Sequence, residues 1–171
     1  MSSSEVGAPT SADYVQRAPS LEFVASVIVE LGEPLEIGAT PTGSRRVIPI
    51  AGGTVRGPRL SGRIVPGGAD WLLMLEDGTA VIDARYTLEV TDASGTAHLV
   101  SISTAGVRTG PPEVLAAIRR GESVDPGDYY FRFAATVSTA SSEHAWLTRS
   151  VLVASATRLA DHVAYDLYRL T

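Results

Sequence analysis

Asp83 and Arg85 stand two residues apart in "AVIDARYTLEV" (80–90), and Tyr130 and Arg132 stand two apart in "DYYFRF" (128–133). Residues two apart on a β-strand share a face, so each pair would present its polar groups side by side. A carboxylate beside a guanidinium can act as a general base next to an oxyanion stabiliser, provided both face a desolvated pocket. Facing water, the same residues are ordinary surface charges, and Ile82, Ala84, Tyr86, Phe131 and Phe133 would then fill the interior; pattern alone makes this the economical reading. An inward Asp83 would need its arginine, because an unpaired buried carboxylate neutralises instead. A third group is His144, Trp146 and Thr148, whose imidazole, indole and hydroxyl would line one wall if "HAWLTRSVLVASA" is a strand. The alternative there is that Trp146 fills the core while His144 ends the strand.

Other chemistries are closed off by composition. All 14 basic residues among the 171 are arginines and there is no cysteine, so Schiff-base lysines, thiolate nucleophiles, disulfides and Cys-based metal sites are excluded. The three histidines lack a second ligand at metal-site spacing, and neither a metal nor a cofactor is expected. "GGTVRGPRLSG" is rich in glycine, but no helix follows it to hold a phosphate; bulges and barrel corners account for Gly52, Gly53, Gly57 and Gly62. There is no G-x-S-x-G elbow, and Ser94 belongs to the turn "DASG". A net charge of −5 gives no footprint for nucleic acid. Neither a signal-peptide core nor a long apolar run is seen, so a cytoplasmic protein with no membrane partner is expected.

The elements that would position these residues are mostly strands. Residues 1–19 read as a flexible Ser/Ala/Pro-rich tail, and 20–171 as one domain. "LEFVASVIVEL" and "RRVIPIAGGTV" are strand-like, the second demoted to an edge or bulged position by Pro49. "RLSGRIV", "WLLML", "AVIDARYTLEV" and "TAHLVSISTAGV" follow, separated by "PGGAD", "EDG" and "DASG", which are hairpin signals and predict an antiparallel meander. "PPEVLAAIRRGE" predicts the helix: prolines at the start, Glu113 in the first turn, arginines in the last and Gly121 to cap it. With Val114, Leu115 and Ile118 on one face, that helix should cover apolar surface as a lid or plug. "DYYFRFAATVSTA", "HAWLTRSVLVASA" and "HVAYDLYRL" complete eight to nine strands. A sheet of that size avoids exposed edges by closing, so the expected fold is all-β: a closed antiparallel up-and-down barrel of lipocalin-like architecture, flanked by one short helix.

"PTGSRRVIPIAGGTVRGPRLSGRIVPGGADW", "DGTAVIDARYTLEV" and "DYYFRF", followed by "AWL" and a closing "DLYRL", resemble the bacterial and fungal proteins grouped as domain of unknown function 3237, an uncharacterised UPF-type family. The resemblance covers roughly residues 20–171 and implies a closed β-barrel without implying an activity. Its recurrent polar positions correspond to Arg46, Asp70, Trp71, Asp83, Arg85, Tyr130 and Arg132, which favours the inward reading of Asp83 and Arg85. Thr148 and His144 depart from the pattern, which suggests a retuned pocket.

Together these readings lead to the expectation of a cofactor-independent enzyme, a cyclase, isomerase or lyase, acting on a small, largely apolar carbonyl-containing natural-product or catabolic intermediate in the barrel lumen. Asp83 or Asp70 would be the base, Arg85 and Arg132 would stabilise negative charge, and Tyr130 or His144 would relay a proton. Arg46, Trp71, Tyr86, Trp146 and Thr148 would contact substrate. In a pericyclic or polyketide cyclase, Trp71, Tyr86 and Trp146 would be walls that hold reacting carbons together. The alternatives are a non-catalytic small-molecule-binding barrel, and a structural protein acting through homo-oligomers.

Overall fold

A computed structural model describes residues 17–171, so most of the expected N-terminal tail lies outside the described residues. The strands are β1 (Leu21–Leu31), β2 (Leu35–Thr40), β3 (Gly43–Arg56), β4 (Gly62–Met74), β5 (Ala80–Thr91), β6 (Ala97–Thr109), β7 (Tyr130–Thr139), β8 (Leu152–Arg158) and β9 (His162–Leu170). They run β1-β9-β8-β7-β6-β5-β4-β3-β2, and β1 also pairs with β3, which closes eight strands into an antiparallel barrel and leaves β2 outside. Closure gives the backbone groups of both terminal strands of the ring a partner and so removes the exposed edges.

The point of closure lies at Pro49. The first half of β3 pairs with β2 and the second half with β1, and Pro49, which has no N–H to donate, sits at the change of partner. Its carbonyl accepts from Gly32 N at 2.8 Å. A bulge follows between Ile50 and Thr54. Gly53 in that bulge has φ +142°, and a Cβ there would stand 2.0 Å from the Ile28 carbonyl oxygen, so β1 can cross β3 only at a glycine.

Three local readings change. "PGGAD" is a bulge inside one long strand, β4, whose register against β5 shifts between Val65 and Ala69. The short strand β2, "LEIGAT", is an element that the alternation of apolar residues did not signal. "HAWLTR" is a turn leading into a short 3-10 helix over Ala145–Arg149, with β8 starting only at Leu152. One strand fewer in β4 and one more in β2 keep the total at nine. The helix forms as expected: α1 (Pro112–Arg119) ends at Gly121, whose φ of +78° lets its N–H reach the Ile118 carbonyl. Leu115 and Ile118 are its buried face. Among the described residues no helix is long and apolar enough to cross a membrane.

Candidate functional site

On β5 the two faces separate cleanly. Ala80, Ile82, Ala84, Tyr86, Leu88 and Val90 are all buried. With a period of two, their neighbours must point outward, so Asp83 and Arg85 stand on the outer wall, with side chains 50% and 63% exposed. Their ion pair, Arg85 Nη2 to Asp83 Oδ2 at 3.4 Å, is a solvent contact, and the Arg85 guanidinium lies 5.7 Å from the exposed Trp71 ring. The inward reading of Asp83, Arg85 and Trp71 is thereby corrected. The same rule puts Phe131 and Phe133 inside and leaves Tyr130 and Arg132 outside, the guanidinium 5.3 Å from the Tyr130 ring and donating to the Phe131 carbonyl at 2.8 Å.

The third expected group does not form a pocket wall, because the 3-10 helix destroys its strand parity. His144 is buried with Nδ1 3.0 Å from Ser141 Oγ. Trp146 lies between Arg59 at 4.1 Å and Arg169 at 5.8 Å, and Thr148 is exposed and donates to the Ala145 carbonyl. These residues close one end of the barrel, where Ile64, Leu88, Leu147, Leu152 and Leu167 pack with almost no exposure.

The opposite half of the barrel contains a cavity of about 100 Å³. Ile48, Ile50, Leu72, Ile82 and Phe133 make an apolar wall, and Ile118 and Arg119 of α1 contribute from the mouth, so the helix covers the opening as a lid should. Three expected residues line it: Arg46, Asp70 and Tyr86. Arg108, Arg158, Thr104 and Tyr165 also line it and were not anticipated. Strand register gives their depth. Asp70 pairs with Ala84, which pairs with Thr104, whereas Arg108 pairs with Ala80, four residues nearer the start of β5. Arg158 ends β8. The guanidinium-bearing positions therefore lie toward the mouth and the carboxyl deeper, with Tyr86 two residues beyond Ala84. Asp70 enters the lumen because the β4 bulge inserts an even number of residues between Val65 and Ala69, which leaves Asp70 on the same inner face as Ile64 and Leu72.

Five ionisable groups of this cavity, Asp70, Arg108, Arg158, Tyr86 and Tyr165, are perturbed by their surroundings. Burial pushes the Asp70 carboxyl up to about 6, against the opposing pull of the hydrogen bond it accepts from Asp83 N (3.1 Å) and of the Arg108 charge. Burial, followed by the like charge of Arg158, brings the Arg108 guanidinium down to about 10. Arg158 is lowered as well, chiefly by burial. Tyr86 and Tyr165 share a hydrogen bond of 2.6 Å between their hydroxyls, and burial raises both. A carboxyl that changes charge near neutrality can accept and return a proton, and arginines above it can stabilise an oxyanion. Among the described residues no three His, Asp or Glu side chains are grouped to hold a metal ion.

Over residues 19–170 the sequence matches the family described as "Protein of unknown function (DUF3237)". The chain belongs to this family. A UPF0311 protein of Rhodopseudomonas palustris is 35% identical over 154 residues, which span 89% of this chain and 98% of that protein. A UPF0311 protein of Clostridium acetobutylicum is 34% identical over 151 residues, 88% of this chain and 93% of its own length. Among crystal structures, a β-barrel-like protein of Acinetobacter baumannii superposes with a TM-score of 0.79 at 40% identity, covering 92% of this chain and 99% of that one. A Penicillium herquei protein described as an enzyme superposes at TM-score 0.66 with 16% identity, covering 92% and 98%, a likeness of fold alone. DUF3237 membership thus agrees with the barrel and leaves the chemistry to the residues of the cavity.

Proposed function

We propose that this DUF3237 protein is a cofactor-independent acid–base enzyme, a cyclase, isomerase or lyase, acting on a small, largely apolar carbonyl compound held in the mouth-end cavity. The observation that carries the reading is Asp70: a carboxyl on an otherwise apolar wall, with its ionisation pushed up to about 6, below two arginines that have no other acid in the lumen. Ionised Asp70 would take a proton from carbon next to the substrate carbonyl. The electron pair would move onto the carbonyl oxygen, and the Tyr86–Tyr165 hydroxyl pair near the depth of Asp70 would donate to the resulting enolate, with the mouth arginines adding positive potential from above. The enolate carbon could then be reprotonated elsewhere, expel a β-substituent or attack a second electrophilic carbon, and Asp70 would return its proton at the end. Tyr86 and Tyr165 offer a hydroxyl pair for orienting the substrate from below. Of the three aromatic residues expected to wall a purely shape-driven cyclase, only Tyr86 lines this cavity, where it is joined by Phe131, Phe133 and Tyr165, so it is Asp70 that favours acid–base chemistry over a template mechanism.

The test is hydrogen–deuterium exchange at carbon, followed by NMR in D2O with a panel of small cyclic enolisable ketones, each with and without a carboxylate substituent. The expected result is catalysed exchange for at least one ketone, rising as pH passes through about 6 and abolished in Asp70→Asn. Exchange no faster than buffer, or equal in Asp70→Asn, would overturn the proposal. A binding barrel without chemistry is favoured instead by one feature, the unpartnered Arg108 Nε, which any anionic ligand would satisfy. Ligand recovered unchanged and undeuterated would identify that case.

A further inference from the structure

Arg108 is the least satisfied charge among the described residues. It is only 9% exposed, its Nε is buried without a hydrogen-bond partner, and among the described residues no carboxylate lies within 4 Å of it. Its guanidinium stands 5.7 Å from the Phe131 ring. Leaving a buried cation in this state is costly unless something else occupies the space beside it.

The surroundings do not supply an anion. The cavity is lined by Arg46, Arg108, Arg119 and Arg158 against the single carboxyl of Asp70. Glu36 reaches Arg46 from the exposed side of β2 at 3.4 Å, and Asp161, on an exposed turn, influences Arg158 but is bonded to His162 at 2.6 Å. Tyr129, the other ionisable group beside Arg108 and Arg158, spends its hydroxyl accepting from Arg158 N at 2.9 Å. Even with Asp70 ionised, the mouth keeps an excess of positive charge in a largely apolar enclosure. A neutral carbonyl compound would leave that excess uncompensated.

We infer that the ligand of this cavity is an organic oxyanion, a carboxylate by class, whose charged group is bound by Arg108 and Arg158 at the mouth while its apolar body extends down toward Asp70. The inference rests on the cavity being the functional site, as proposed above. The planar guanidinium fork matches the two oxygens of a carboxylate, and the desolvated setting strengthens the contact. The depth order also fixes the orientation: the reacting carbon lies at the end of the molecule away from the carboxylate, because Asp70 is four register positions deeper than Arg108.

Isothermal titration calorimetry on the full chain, with benzoate, phenyl phosphate and benzyl alcohol as probes, tests this directly. Benzoate should bind, benzyl alcohol should bind at least roughly tenfold more weakly, and Arg108→Gln should weaken benzoate by a similar factor while leaving benzyl alcohol unchanged. Arg158→Gln is the second variant should Arg108→Gln misfold, and Arg85→Gln, on the outer wall, should bind as the wild type does. Tighter binding of phenyl phosphate than of benzoate would support the oxyanion site and assign it to phosphate esters. Equal binding of benzoate and benzyl alcohol, insensitive to both lumen arginines, would overturn the inference and spare the proposed acid–base reaction. Failure of all three probes to bind would overturn it and count against the cavity as a site. Benzoate binding without any carbon-exchange activity would keep the anion site and remove the enzyme.

Discussion

Each end of the barrel holds a pair of arginines, and the two pairs are treated in opposite ways. At the closed end Arg59 and Arg169 flank the Trp146 ring, and both reach Glu22, at 2.6 and 3.7 Å. Only the Arg169 Nε lacks a partner there. At the mouth Arg108 and Arg158 face a cavity whose single lining acid is Asp70, its ionisation pushed up to about 6, and Asp161 influences Arg158 only from an exposed turn. The closed end is built as packing, with cations that seal and are paired. The mouth is built as a site, with cations whose partner must come from outside. β5 passes through both regimes, from Ile82 and Ala84 on the cavity wall to Leu88 and Val90 in the sealed core.

The contrast predicts where stability resides. Leu88→Ala, at the sealed end, should cost about 3 kcal/mol in urea denaturation, because a tightly packed site cannot collapse around the void. Ile48→Ala, on the cavity wall, should cost clearly less, and equal losses would erase the distinction between the two ends.

Asp70 should show the opposite sign. Its carboxyl holds a proton more tightly in the fold than in the unfolded chain, so ionising it destabilises the protein: nothing is lost below pH 3.8, and the full penalty is present above about pH 6. Asp70→Asn should therefore raise stability by about 2 kcal/mol at pH 7.5, and by nothing at pH 3.5, while abolishing activity. A variant that is less stable at pH 7.5 would show that the carboxylate is a structural partner. Tyr86→Phe should cost about 1 kcal/mol by stranding the Tyr165 hydroxyl, and the double variant with Tyr165→Phe should recover most of it. Asp83→Asn with Arg85→Gln should change stability by less than about 0.5 kcal/mol and leave activity intact, since the pair is exposed. Loss of activity there would return the site to the outer wall.

Much of this was legible in the residues. Hairpin punctuation and nine alternating runs dictate a closed barrel, and the proline, glutamate, arginine and glycine order of "PPEVLAAIRRGE" dictates α1. Alternation in β5 also dictates that Asp83 and Arg85 face water; the family pattern argued against it, and periodicity was the better guide. Arg46, Asp70 and Tyr86 were found, whereas Arg108 and Arg158 were not. Both sit at strand ends, in "AGVRTG" and "SATRLAD", where a charge next to a turn reads as solvent-facing. Their signal was parity: Arg108 follows Val100, Ile102 and Thr104 on the inner face, and Arg158 follows Leu152, Ala154 and Ala156. Asp70 obeys the same count, in steps of two from Ile64 to Leu72, because the "PGGA" bulge inserts an even number of residues. The shared wall expected of His144, Trp146 and Thr148 does not form because "HAWLTR" has the composition of a strand and is held as a 3-10 turn by the packing of Leu147 and Trp146 against the barrel end.

The most direct test of the account is the location of a bound ligand. In a methyl-labelled sample saturated with benzoate, intermolecular NOEs from the aromatic protons should reach Ile48, Ile82 and Ile118, which line the mouth-end cavity. NOEs confined to Val107 and Val153, which line a groove on the outer wall, would contradict it.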